Sequence, residues 1–163
     1  MIDLTTKYGP LTLKNPVMPG SSEIILDPRQ VELAIKNGVG GIVTKSYVDE
    51  LPPEIFPQTR PAWFPMRQFG TEFQNSWIFD SGACNKHPSS IVEKDLPKMS
   101  KLCKEAEIPL IVSTQCVSYE KYVYWSKKFE ECGADAVEFD LECPESLFYF
   151  PHDGGVHAPK THV

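Results

Sequence analysis

Four short apolar runs constrain this chain more than any other feature. They are "PVMPGSS" from Pro16, "GGIVTKS" from Gly40, "IPLIVSTQ" from Ile108 and "DAVEFD" from Asp135, and each passes at its carboxyl side into small or polar residues. The spacing predicts buried strands over 41–45, 108–115 and 135–140, with a first strand in the run from Pro16. Amphipathic stretches lie between them. Asp27-Pro28 reads as the cap and first position of a helix whose apolar side is Val31, Leu33, Ala34 and Ile35, stopped by Asn37-Gly38. A second helix is expected over 91–106. A third is expected over 119–132, with Tyr122, Val123, Trp125, Phe129 and Cys132 near helical spacing and Gly133 as its stop.

Strand alternating with helix is the pattern of a parallel α/β fold, and in such folds ligands bind at the carboxyl edge of the sheet. The residues expected at that edge are Gly20-Ser21-Ser22, Thr44-Lys45-Ser46, Ser113-Thr114-Gln115 and Asp140-Leu141-Glu142-Cys143. Ahead of the first run, "IDLTTKYGPLTL" reads as two short strands around a Tyr8-Gly9-Pro10 turn. The segment 47–90 shows no period and is rich in proline and aromatics, as expected of a functional loop or lid.

A length of 163 residues suits one domain. The net charge of −6, with both signs interspersed, disfavours nucleic acid as a partner, which needs a basic face. No apolar run approaches the roughly 20 residues of a membrane span, and "MIDLTTKYGP" is too polar for a secretory signal. Cys84, Cys103, Cys116, Cys132 and Cys143 show no metal-ligand spacing, which suggests reduced thiols in a cytoplasm. The tail "FYFPHDGGVHAPKTHV" contains His152, Asp153, His157 and His162. Its glycine and proline content favours a lid-like or disordered terminus over a metal site, so no metal is expected.

The motifs "LTLKNPVMPGSS", "GVGGIVTKS", "FQN" and "GADAVEFDLECP" resemble, in that order, those of the dihydroorotate dehydrogenase and dihydropyrimidine dehydrogenase flavoproteins. The stretch "STQCVSYEKYVYWSKKFEECGADAVEFDLECP" looks closest to the dihydropyrimidine dehydrogenase branch. The resemblance implies a (β/α)8 TIM barrel with FMN at the carboxyl ends of its strands and an N-terminal hairpin on its floor. It also implies oxidation or reduction of a CH–CH group in a small cyclic substrate, as in pyrimidine metabolism. The chain would then be the first half of such a barrel: residues 1–14 the hairpin, 15–144 four strands with their crossovers, and 145–163 the tail. Position by position, Gly20 and Ser21 fall on the family's flavin-contacting loop, with Thr44 and Ser46 flanking the second strand tip. Lys45 matches the lysine bridging flavin and substrate, and Asn75 the substrate-binding asparagine. Asp140 stands for the asparagine of "LNLSCP" beside flavin and substrate. Cys143 stands for the catalytic acid/base thiol.

Two residues depart from that pattern. Asp140 replaces an asparagine, and Glu142 replaces the small residue before the cysteine. One carboxylate about 4 Å from an anionic substrate costs roughly 4 kcal/mol at an effective dielectric of 20, which argues against orotate. A complete barrel of this kind needs about 250 residues. A truncated chain, a partner supplying the second half and self-pairing of two half-barrels therefore all remain open. Two other functions compete: a non-catalytic half-barrel that binds a ligand without turnover, and an aldolase-type lyase with Lys45 as Schiff-base nucleophile.

Overall fold

The computed structural model describes residues 2–49, 88–116 and 118–141, together with the backbone of 62–65 and 77–80. Strands β1 (Thr6–Tyr8) and β2 (Leu11–Leu13) pair antiparallel across the Gly9-Pro10 turn, Thr6 opposite Leu13. Helix α1 (Pro28–Lys36) begins where its cap chemistry dictates: extended Asp27 accepts the Gln30 amide through Oδ1 at 3.0 Å, and Pro28 fills the first turn. Its buried stripe is led by Val31, which is wholly enclosed.

The run from Pro16 is not a strand, contrary to expectation; residues 15–27 form no ladder. Pro16 and Pro19 lack the amide donors that a central strand needs. Two backbone bonds tie the segment in, Lys45 N–H to the Ile25 carbonyl at 3.0 Å and Gly40 N–H to the Val17 carbonyl at 2.7 Å. Gly40 allows this approach, since a Cβ there would overlap the backbone of Asn15.

The strand expected over 41–45 is real but short, β3 (Ile42–Val43), and a second short strand, β4 (Tyr47–Val48), follows beyond it. The segment 47–90 is not structureless either. Besides β4 it contains an antiparallel pair, β5 (Ala62–Pro65) with β6 (Trp77–Asp80). The helix expected over 91–106 is also two pieces, α2 (Ser89–Val92) and α3 (Leu96–Glu105). Pro97 explains the break, because a proline is tolerated in the first turn of a helix and not in its interior. Strand β7 (Leu110–Gln115), helix α4 (Tyr119–Glu131) and strand β8 (Ala136–Phe139) follow within two residues of the expected bounds. Ser118 caps α4, accepting the Lys121 amide at 3.3 Å. Gly133 ends it at φ +89°, where a side chain would also meet Ser100.

These pieces form a mixed α/β structure around a parallel sheet. β3 and β4 lie along one edge of β7, and β8 along the other. All six residues of β7 are buried, the mark of a strand covered on both faces. Val31, Ile42, Tyr47, Leu96, Met99, Leu110, Val112, Trp125 and Phe129 pack into one core around it. Each fully enclosed aliphatic side chain there contributes roughly 1.5–3 kcal/mol. β8 is the outer strand, and Phe139 is half exposed.

The split between β3 and β4 is a bulge. Val43 pairs with Ile111 and Tyr47 with Thr114, so this strand advances from 43 to 47 while β7 advances only from 111 to 114. One extra residue is accommodated. The donors it displaces all find partners. Thr44 N–H stays in the ladder with the Ile111 carbonyl (3.0 Å), while Lys45 N–H turns to Ile25 (3.0 Å) and Ser46 N–H to Ser21 Oγ (2.9 Å). On β7, the Ser113 amide bonds the Thr44 hydroxyl at 3.1 Å in place of a backbone carbonyl. The bulge therefore moves Lys45 and Ser46 out of strict alternation, at the carboxyl end of the sheet.

Candidate functional site

A recess of about 660 Å³ opens at that end, lined by Ser21, Lys45, Ser46, Glu138, Phe139, Asp140 and Leu141. Of the residues singled out from sequence, Ser21, Lys45, Ser46 and Asp140 meet here. Gly20 is exposed beside them, its carbonyl accepting from Ser22 Oγ at 3.1 Å. Thr44 is different: its side chain is fully buried and its hydroxyl is occupied by the Ser113 amide. Only its backbone could serve a ligand. Asn75 and Cys143 lie outside the described residues, as do Glu142 and the histidines of the tail.

The centre of the recess is a hydroxyl cluster. Ser46 Oγ lies 2.9 Å from Ser21 Oγ, 2.9 Å from Ser113 Oγ and 3.1 Å from Asp140 Oδ2. A hydroxyl has one proton and two lone pairs, and an ionised carboxylate only accepts. Ser46 therefore donates to Asp140 and accepts from Ser21 and Ser113, while Ser21 Oγ takes the Ser46 amide. The Ser21 and Ser113 protons thus go to Ser46 Oγ, and only the Ser46 proton goes to Asp140. The carboxylate is itself fixed at its backbone: its amide donates to the Thr114 carbonyl (2.9 Å), and Tyr122 Oη donates to its carbonyl (2.8 Å). Tyr122 also packs on Phe139, ring centroids 4.8 Å apart. Burial raises the Tyr122 phenol above its usual range, so it acts as a donor.

Lys45 supplies the cation lining this recess. Its side chain is 18% exposed, and Nζ lies 3.1 Å from Glu23 Oε1. Glu23 was not legible as a site residue, and neither were Ser113 or Glu138. Ser113 stood in the polar tip of its strand, which was the available signal. The Glu23 pairing comes from a loop folding back across the bulge and has no sequence spacing to reveal it. Glu23 occupies the Nζ that a Schiff-base role would need free, which weakens the lyase alternative.

The described thiols are chemically quiet. Burial pushes Cys103 up to about 12, aided by Asp135, and pushes Cys116 up to about 12 against the opposing Thr114 hydrogen bond. Burial raises Cys132 as well. None offers the lowered pKa of a reactive thiolate. No helix among the described residues is long and apolar enough to cross a membrane.

No family model matches the chain. It is 27% identical over 144 residues to "Dihydroorotate dehydrogenase B (NAD(+)), catalytic subunit" of Thermoanaerobacter sp. (strain X514), covering 88% of this chain and 43% of that protein. The same-named protein of Thermoplasma acidophilum is 30% identical over 146 residues, with the same coverage. "Dihydroorotate dehydrogenase A (fumarate)" of Lactiplantibacillus plantarum is 24% identical over 142 residues, 86% of this chain and 43% of that one. The chain thus spans less than half the length of the curated relatives it matches. Over nearly all of its own length, its distant relatives are dihydroorotate dehydrogenases.

Proposed function

We propose that this chain forms the N-terminal half of a flavin-dependent dehydrogenase barrel and that the recess at Ser46 holds the polar edge of FMN. The observation that carries this reading is the convergence of Ser21, Lys45, Ser46 and Asp140 at the carboxyl end of a parallel sheet. The set suits a flavin's pyrimidine edge, whose carbonyls and ring nitrogens would accept from the remaining protons of the Lys45 ammonium, while Ser21, Ser46 and Ser113 spend their hydroxyl protons within the cluster and offer only lone pairs. It suits the ring and not the phosphate, since among the described residues Lys45 is the one cation lining the recess and Glu23 already pairs with it. The phosphate would be held by a second half.

Bound there, FMN would supply the hydride chemistry of CH–CH oxidation or reduction. Lys45 would orient the ring edge and the substrate. Asp140 would accept an N–H from the substrate while holding the serine cluster in one orientation. Cys143, three positions beyond it in sequence, would exchange the proton. The substrate would be a small uncharged cyclic compound rather than orotate, because Glu138 and Asp140 both line the recess.

The far edge of β8 has no partner among the described residues, which supports completion of the sheet by a second chain or a second copy. A ligand-binding half-barrel without turnover shares that surface. Titrating the 163-residue chain with FMN tests the flavin site. Quenching of flavin fluorescence that weakens at least tenfold in Ser46→Ala and Lys45→Ala supports the flavin site. A protein that leaves the fluorescence untouched, alone and when self-associated, overturns it.

A further inference from the structure

We infer that Glu23 is a positioning residue that sets the charge preference of the recess, so that it repels anionic ligands and admits uncharged or cationic ones. This holds for the site proposed above, and it rests on that reading for the recess being a ligand site.

Lys45 would by itself draw anions, yet its Nζ is taken by Glu23 Oε1 at 3.1 Å. Glu138 and Asp140 line the same space. Among the described residues, one positive charge therefore faces three carboxylates. The Glu23 pairing is built rather than incidental. Gln30 donates from Nε2 to the Glu23 carbonyl at 3.0 Å and accepts the Leu26 amide through Oε1 at 2.6 Å. Gln30 is in turn held in the first turn of α1 by the Asp27 cap. Helix α1 thus fixes the loop that presents Glu23, and the bulge presents Lys45 to it. Asp140 cannot swing away to relieve the excess charge, because Ser46 and the backbone bonds from Thr114 and Tyr122 hold it.

Two amine-directed reagents that need no flavin test this. Trinitrobenzenesulfonate is an anion, and fluorodinitrobenzene is uncharged. The ratio of their labelling rates at Lys45, read by peptide mass spectrometry on the folded full chain and normalised to exposed Lys98, reports the local charge. Glu23→Gln raises the rate of both reagents by freeing the amine; the proposal requires that it also raise the anionic-to-neutral ratio. Removing one charge about 6 Å from the approaching sulfonate in a water-like medium should raise that ratio about threefold. Asp140→Asn should raise it similarly, and Glu23→Asp, which keeps the charge, should leave it at the wild-type value. Circular dichroism confirms that each variant is folded. A ratio unchanged in Glu23→Gln overturns the proposal, even if both rates rise together, and so does a ratio that rises equally in Glu23→Asp. A protein that ignores FMN yet shows the expected ratios removes the flavin reading alone.

Discussion

Replacing Thr44 by valine tests the bulge most directly. The two side chains have the same shape, and Thr44 is fully buried, so packing is preserved. What disappears is the hydroxyl that accepts the Ser113 amide at 3.1 Å. Ser113 is also fully buried, so its amide has no water to turn to. Orphaning a buried amide costs about 1–3 kcal/mol. Valine's better fit to a strand offsets only a few tenths, which leaves a loss of about 2 kcal/mol. Thr44→Ser provides the control: it keeps the acceptor and deletes one enclosed methyl, for about 1 kcal/mol. Urea denaturation followed by circular dichroism should therefore order the stabilities wild type, Thr44→Ser, Thr44→Val, with unchanged m-values. Native-state hydrogen exchange at the Ser113 amide should accelerate in the valine variant alone. If the serine variant is the less stable of the two, Thr44 is held by packing and the bulge does not depend on its hydroxyl.

Alkaline pH should weaken the fold in a defined window. Cys103 and Cys116 keep their protons in the folded chain up to about 12, whereas the unfolded chain releases them near 9. Above pH 9 the unfolded state binds fewer protons, so stability falls as pH rises, by about 1.4 kcal/mol per pH unit for each thiol. Urea midpoints measured under reducing conditions from pH 8 to 11 should show this decline, and Cys116→Ala should make it shallower. Gly40→Ala drives a methyl group into the Asn15 backbone. Overpacking of that kind costs about 3 kcal/mol, visible as a lower thermal midpoint; a neutral substitution would mean that the 15–18 segment is not seated where described.

Local chemistry was legible where it is self-contained. Asp27-Pro28, Asn37-Gly38 and Gly133 mark helix ends through bonds spanning a few residues, and α1 and α4 begin or end close to those marks. Tertiary effects were not legible. Nothing in "GGIVTKS" says that a threonine hydroxyl will replace a ladder carbonyl on a strand 69 positions away. The Pro16 run has the apolar content of a strand but lacks its amide donors, and Pro97 sets a new helix start inside 91–106. In the site, strand tips foretold Ser21, Lys45, Ser46 and Asp140. Ser113 also stood at such a tip, whereas Glu23 enters only through a contact that fold-level geometry creates.

The position of β7 has a consequence for how the chain is made. Every parallel pairing runs through it, and Tyr47 meets Thr114 across 67 positions of sequence. During synthesis the β3–β4 region leaves the ribosome with no strand to join until residues 110–115 emerge. For that interval Ile42, Val43, Tyr47 and Val48 are bare apolar backbone, the kind of segment that chaperones capture. Once β7 is out, β8 is only 25 positions behind by the Leu110–Asp135 bond, and assembly should finish quickly. A stall that holds residues 110–115 inside the ribosome would lengthen this vulnerable interval; a pause after they have emerged would not.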